Sequence, residues 1–133
     1  MQASDGQRRD DGPATAPLEA WLDSETAIGR LLGNEALYVS MLELFREQLM
    51  QDMEQMQTAL AAGNQKEALR LIHSTKGAAR ILGADRLAAH CELAYSAVVY
   101  GELPSIANEL AALLGNAAET LTHIDQRLKS PSV

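Results

Sequence analysis

Four long amphipathic stretches joined by short connections predict an all-α chain. The expected fold is an antiparallel up-and-down four-helix bundle with a short additional N-terminal helix. Three observations carry that expectation. Hydrophobic residues make up 47% of the chain and aromatics only 4%, in stretches rich in Ala, Leu, Met, Glu and Gln that favour helix. Only four prolines interrupt 133 residues. Apolar positions recur every three or four residues, the spacing of one helical face. The length suits one domain with one core.

Residues 1–17, MQASDGQRRDDGPATAP, are polar, contain Gly and Pro, and show no periodicity. They read as a disordered lead-in or an interdomain linker. The bundle is assigned to residues 18–130, and residues 131–133 form a tail. A short helix is expected over 24–32, capped by Asp23 and stopped at Gly33. Asn34 then caps a long helix through about Ala62, with Leu37, Met41, Phe45, Leu49, Met53, Met56 and Leu60 as its apolar stripe. Gly63 ends it. Asn64 caps the next helix, with Glu67 completing a capping box. Ala68, Ile72, Thr75, Ala79 and Leu82 form its inner face, and Gly83 closes it as the glycine just past the helix end. Asp85 caps a third long helix carrying Leu87, Cys91, Ala94 and Val98 inward and ending near Gly101. Pro104, in a first-turn position, opens the last helix, whose stripe is Ile106, Leu110, Leu113, Ala117, Leu121, Ile124 and Leu128. Short connections make consecutive helices antiparallel.

The formal net charge of −7 argues against a nucleic-acid partner. The charge is uneven. Residues 1–62 carry 4 basic and 11 acidic groups, residues 66–86 carry 5 and 2, and residues 87–133 carry 2 and 5. The one positive segment is the second long helix. Cys91 is the single cysteine, which excludes an intrachain disulfide and suits a reducing compartment. No run approaches the roughly 20 apolar residues of a membrane span, so direct membrane contact is not expected.

Within the positive segment, IHSTKGAARILGA, the side chains of His73, Lys76, Gly77 and Arg80 share a stripe beside the core face. An exposed imidazole is mostly neutral at pH 7 and is then a nucleophile. Attack on a phosphoryl group would give phosphohistidine. That adds roughly two negative charges, which Lys76 and Arg80 can offset. Gly77 weakens the helix by about 1 kcal/mol relative to alanine. Its missing side chain leaves room beside the imidazole for another protein. No phosphate-cradling glycine loop or Ser/His/Asp relay accompanies these residues, so the phosphoryl group must come from a partner.

His73, Lys76, Gly77, Leu82, Gly83 and Ala84 match the pattern H-x-x-K-G-x-x-x-x-L-G-A, and the chain here resembles the histidine-containing phosphotransfer (HPt) domains of multistep two-component phosphorelays. Ala68 and Leu71 before the motif, and Leu87, Cys91 and Glu92 after it, fall where that family places such residues. The likeness spans about residues 18–130 and includes LLGNEALYVSMLELF. The resemblance implies that His73 is the phosphoacceptor, Lys76 its electrostatic support and Gly77 a steric clearance. It implies a phosphoryl carrier without kinase activity of its own, exchanging phosphoryl groups with receiver-domain aspartates. It also implies no cofactor of its own, the Mg²⁺ belonging to the partner receiver. Two features depart from the pattern: Thr75 replaces a frequent leucine, and Arg80 and Ile81 replace small or amide residues.

The expected partners are receiver domains of response regulators or a hybrid sensor histidine kinase, met by a monomer. The expected setting is the cytoplasm, either alone or as the C-terminal module of a membrane-anchored hybrid kinase. Docking is expected on an apolar ring from the first two long helices, with Leu69, Leu37 and Met41 as candidates and Arg80 adding charge. The alternative function is a non-catalytic bundle that binds receivers without accepting phosphate.

His90 and His123 lie on other helices from His73 with no Glu-x-x-His pattern, which argues against a metal site. Cys91 reads as a small buried hydrophobe. Met50, Met53 and Met56, at helical spacing, read as core rather than a peptide groove. Trp21 is expected to cover one end of the bundle.

Overall fold

Oxygen-bearing side chains start three of the helices and glycines end them. In the computed structural model, which describes residues 21–129, these signals delimit α1 (Ser24–Arg30), α2 (Glu35–Ala61), α3 (Gln65–Leu82), α4 (Asp85–Tyr100) and α5 (Leu103–Lys129). Asp23, Asn34 and Asn64 accept hydrogen bonds from the backbone N–H of Thr26, Leu37 and Glu67 at 3.3, 3.0 and 3.2 Å. Each satisfies one of the free donors of a first turn. Gly33, Gly63 and Gly83 follow α1, α2 and α3 with φ of 81°, 77° and 86°. That left-handed turn favours glycine.

Helices α2 to α5 pack as a ring, α2 on α3, α3 on α4, α4 on α5 and α5 back on α2, with α1 lying across α2 and α3. This is the expected four-helix bundle with its extra N-terminal helix. Leu42, Leu49, Met56, Ile72, Leu87, Leu113 and Ile124 fill the centre. Ala68, Ala79, Ala88, Ala94 and Ala117 are buried between them and let the helices approach. Cys91 is fully buried, and Thr75 takes its expected inward position. Met53 and Met56 are core while Met50 is exposed. Ion pairs Arg127–Glu35, at 2.8 Å, and Arg46–Asp125 join α2 to α5. Trp21 stacks on His123 of α5 with centroids 5.4 Å apart, and the Arg86 guanidinium of α4 lies 4.4 Å from its ring centre. The indole thus sits over α4 and α5.

Several sequence expectations need correction. The α2 stripe begins at Tyr38 and Leu42, not Leu37 and Met41; Leu37 is exposed, and Met41 and Leu60 are partly buried. Two successive steps of four, 37 to 41 to 45, drift roughly 80° around a helix, whereas 38 to 42 to 45 returns within roughly 20°. Asp52 is buried on this same helix, where no carboxylate was expected, and Gln48 Nε2 donates to its Oδ1 at 2.9 Å. Helix α1 ends at Arg30, two residues early. Leu32 already has φ of 57°, and its N–H closes on the Gly29 carbonyl at 3.1 Å. Ala84, not Asp85, is the α4 N-cap; Asp85 lies in the first turn, where its charge faces the helix dipole. The Glu67 half of the capping box is not made. Its carboxylate takes the Arg70 guanidinium at 2.7 and 2.8 Å, and the Asn64 N–H bonds the Ala59 carbonyl at 2.7 Å. Residues 1–17 and 131–133 lie outside the described residues.

Candidate functional site

Helix α3 buries Ala68, Leu71, Ile72, Thr75, Ala79 and Leu82 against its neighbours. Residues offset from that stripe must lie at its edge or outside. His73, Gly77 and Arg80 are accordingly exposed, and Lys76 is half-buried on the flank towards α4. Leu69, one turn before His73, is partly buried against the core. These five positions form one continuous strip along α3.

Two glycines of α3 serve opposite ends. A Cβ built on Gly83 would collide with the backbone carbonyl of Asp23, whose N–H donates to the Gly83 carbonyl at 2.8 Å. Gly83 therefore lets the start of α1 rest on the end of α3. A Cβ built on Gly77 meets nothing within 4 Å. Neither backbone conformation nor packing within the described chain requires a glycine there. The open space beside His73 faces outward.

The flank of the strip is a cleft of about 260 Å³ between α3 and α4, lined by Ile72, His73, Lys76, Cys91, Glu92, Tyr95 and Ser96. The His73 and Tyr95 rings lie 6.4 Å apart with planes at 60°. Glu92 brings a negative charge to the same wall, and Arg80 Nη2 lies 3.4 Å from its Oε1. Both groups of that pair are more than half exposed, so the contact adds little stability. The Arg80 carbonyl accepts from Arg30 Nη1 at 2.9 Å, which fixes α1 beside the strip. Burial pushes the Cys91 thiol up to about 12, an effect that the nearby Lys76 charge partly opposes. The thiol at the base of the cleft is thus protonated at neutral pH and does not compete as a nucleophile.

Leu37 and Met41 stand apart from the imidazole. The Tyr38 hydroxyl donates to the Leu82 carbonyl at 2.8 Å, so the first turns of α2 lie beside the last turn of α3. Leu82 is nine residues beyond His73, roughly 13 Å along the axis. The immediate neighbours of His73 come instead from α4; Tyr95 and Ser96 were missed at the sequence level, and Glu92 was named there only as part of the resemblance. A weak signal was present: Tyr95 follows the inward Cys91 by one turn, so it had to sit near the same helix boundary.

His90 and His123 do not join His73. His90 has a buried Nδ1 without a hydrogen-bond partner, and His123 stacks on Trp21 with its Nε2 3.4 Å from Glu119. Among the described residues no group of three or more His, Cys, Asp or Glu is placed to hold a metal ion. No helix among them is long and apolar enough to cross a membrane.

Comparison with solved structures finds the same architecture in two proteins. One is the HPt domain of the Hpt sensor hybrid histidine kinase from Shewanella, with 23% identity and a TM-score of 0.72. The other is histidine-containing phosphotransfer protein B (HptB) from Pseudomonas aeruginosa PAO1, with 21% identity and a TM-score of 0.73. Each alignment covers 84% of this chain and 97% of the other. No curated protein sequence matches the chain. The family model described as Hpt domain matches residues 40–129, which include the whole His73 strip and its α4 wall. With the bundle and the motif in place, the chain belongs to the Hpt domain family and works in histidine phosphotransfer within phosphorelays.

Proposed function

We infer that His73 accepts a phosphoryl group from a receiver-domain aspartate and returns it to another receiver. The observation that carries this reading is the pairing of an exposed His73 with Gly77, whose missing side chain opens to solvent and not to any part of the described chain. A neutral ring nitrogen attacks the phosphorus of the aspartyl phosphate. The N–P bond forms as the P–O bond to aspartate breaks, and the carboxylate leaves with the bond's electron pair. The proton on the other ring nitrogen stays or exchanges with solvent. Transfer to the second receiver reverses these steps. Lys76, one turn away and half-buried, offsets the charge that the phosphoryl group brings. The chain supplies an imidazole and an open face, and the Mg²⁺ that such aspartyl chemistry uses belongs to the receiver.

Docking uses the strip from Leu69 through Gly77 to Arg80, with the half-exposed Ile81 beside it. Leu37 and Met41 serve only a receiver broad enough to reach the far end of α3. Positive groups along α3 complement an acidic receiver pocket and speed encounter. The partners are receiver domains of response regulators or of a hybrid sensor kinase, met by a monomer on the cytoplasmic side, whether alone or as the C-terminal module of a membrane-anchored kinase. The test is incubation with a phosphorylated receiver. Wild type should remove the receiver's label and His73→Gln should not; equal removal by both contradicts the assignment. Receiver binding by a wild type that takes no label would instead identify a non-catalytic binding bundle.

A further inference from the structure

Tyr95 takes no part in the chemistry of phosphoryl transfer, yet it is the aromatic neighbour of the reactive imidazole. Its ring centroid lies 6.4 Å from that of His73 at a 60° tilt, within the roughly 4.5–7 Å range over which tilted aromatic rings attract. It stands 38% exposed on α4, between the buried Cys91 and the buried Ala94, Ala97 and Val98, so its base is fixed while its ring borders the cleft.

An exposed histidine on a helix samples several side-chain rotamers. Few of them aim a given nitrogen at an acyl phosphate arriving from outside. Orientations that turn the ring towards α4 also bring it to Glu92, whose carboxylate lines the same cleft and would repel a phosphoryl group. A rigid ring on that side removes such orientations before the partner arrives, so less freedom is lost on docking. We propose that Tyr95 is a positioning residue for His73: its ring bounds the imidazole on the α4 side and narrows its orientations to outward ones. The inference rests on the reading of His73 as phosphoacceptor. The aromatic face performs the task, and the phenol hydroxyl is dispensable.

The experiment compares wild type with Tyr95→Leu, Tyr95→Phe and His73→Gln in the full chain. The rate of label transfer from a phosphorylated receiver is read alongside NMR couplings that report the His73 χ1 distribution in unphosphorylated protein. Tyr95→Leu should slow transfer about fivefold, equivalent to about 1 kcal/mol of barrier, and its His73 couplings should move towards rotamer averaging. Tyr95→Phe should stay within about twofold of wild type with unchanged couplings. Leucine matching wild type in rate and couplings overturns the proposal. So does phenylalanine failing as badly as leucine, because the hydroxyl would then be the active part. Label surviving in His73→Gln removes the phosphoacceptor reading instead. The couplings, measured without any phosphoryl group, still decide whether Tyr95 orders the ring.

Discussion

The Tyr38 hydroxyl donates to the Leu82 carbonyl at 2.8 Å and lies 2.9 Å from Ser24 Oγ, so one buried phenol joins the starts of α1 and α2 to the end of α3. The Arg127 guanidinium of α5 lies 5.8 Å from the same ring. The helix carrying His73 is therefore held at its C-terminal end by Tyr38 of α2, which Ser24 of α1 and Arg127 of α5 brace in turn.

Tyr38→Phe should destabilise the fold by about 1–2 kcal/mol, because the Leu82 carbonyl and the Ser24 hydroxyl lose a partner in a mostly dry setting. Urea denaturation followed by circular dichroism measures this. The phosphotransfer rate should stay near that of wild type, since the bond lies far from the imidazole.

Gly77 and Gly83 should respond in opposite ways. Gly77→Ala should stabilise the helix by up to about 1 kcal/mol, because its Cβ meets open space. Gly77→Phe should keep the fold while lowering transfer by roughly tenfold or more through loss of receiver docking. Gly83→Ala should cost more than about 1 kcal/mol, since φ is 86° and the new Cβ would strike the Asp23 carbonyl. Thermal melts and a transfer assay on the three variants separate these outcomes.

Lys76→Ala should slow phosphorylation of the chain by roughly fivefold to tenfold with little change in melting temperature, as expected when a single charge stabilises a developing anion. The difference from wild type should shrink as salt screens the partly exposed ammonium. A salt series of single-turnover transfer rates tests it.

Stability should fall at alkaline pH. Burial raises the Cys91 thiol from 9.0 to about 12 and also raises the Tyr38 phenol above its ordinary 10.0. Both groups therefore hold their protons more tightly when folded. Their contribution is complete below pH 9 and is lost as pH climbs through the unfolded values towards the folded ones. Melting temperatures between pH 8 and 11 should decline, and less steeply in Cys91→Ala. A slope unchanged by that substitution would contradict the assigned cause.

Much of this architecture was legible because its signals are local. Asn34, Asn64, Gly63 and Gly83 mark helix ends through bonds and φ angles spanning only a few residues. The α3 face was legible too, since its buried positions differ in kind from His73, Lys76 and Gly77. Errors arose where two registers compete within one helix, as with Leu37 and Met41 against Tyr38 and Leu42. They also arose where a side chain chose a partner other than its cap, as Glu67 chose Arg70. The α4 wall was not legible: bringing Tyr95 to His73 depends on how far α4 slides along α3, which neither helix's periodicity records. The buried Asp52 was missed for a different reason: with Gln48 four residues before it, the pair reads equally well as a solvated outer face.

The most direct test is to find which residue carries the label. Trypsin cuts after Arg70 and Lys76, which isolates His73 in a peptide of residues 71–76, whereas His90 and His123 share the peptide of residues 87–127. The chain is phosphorylated by a labelled receiver, digested at mildly alkaline pH and mapped by mass spectrometry. Acid-labile, base-stable label is expected on the 71–76 peptide alone. Label on the 87–127 peptide would contradict it.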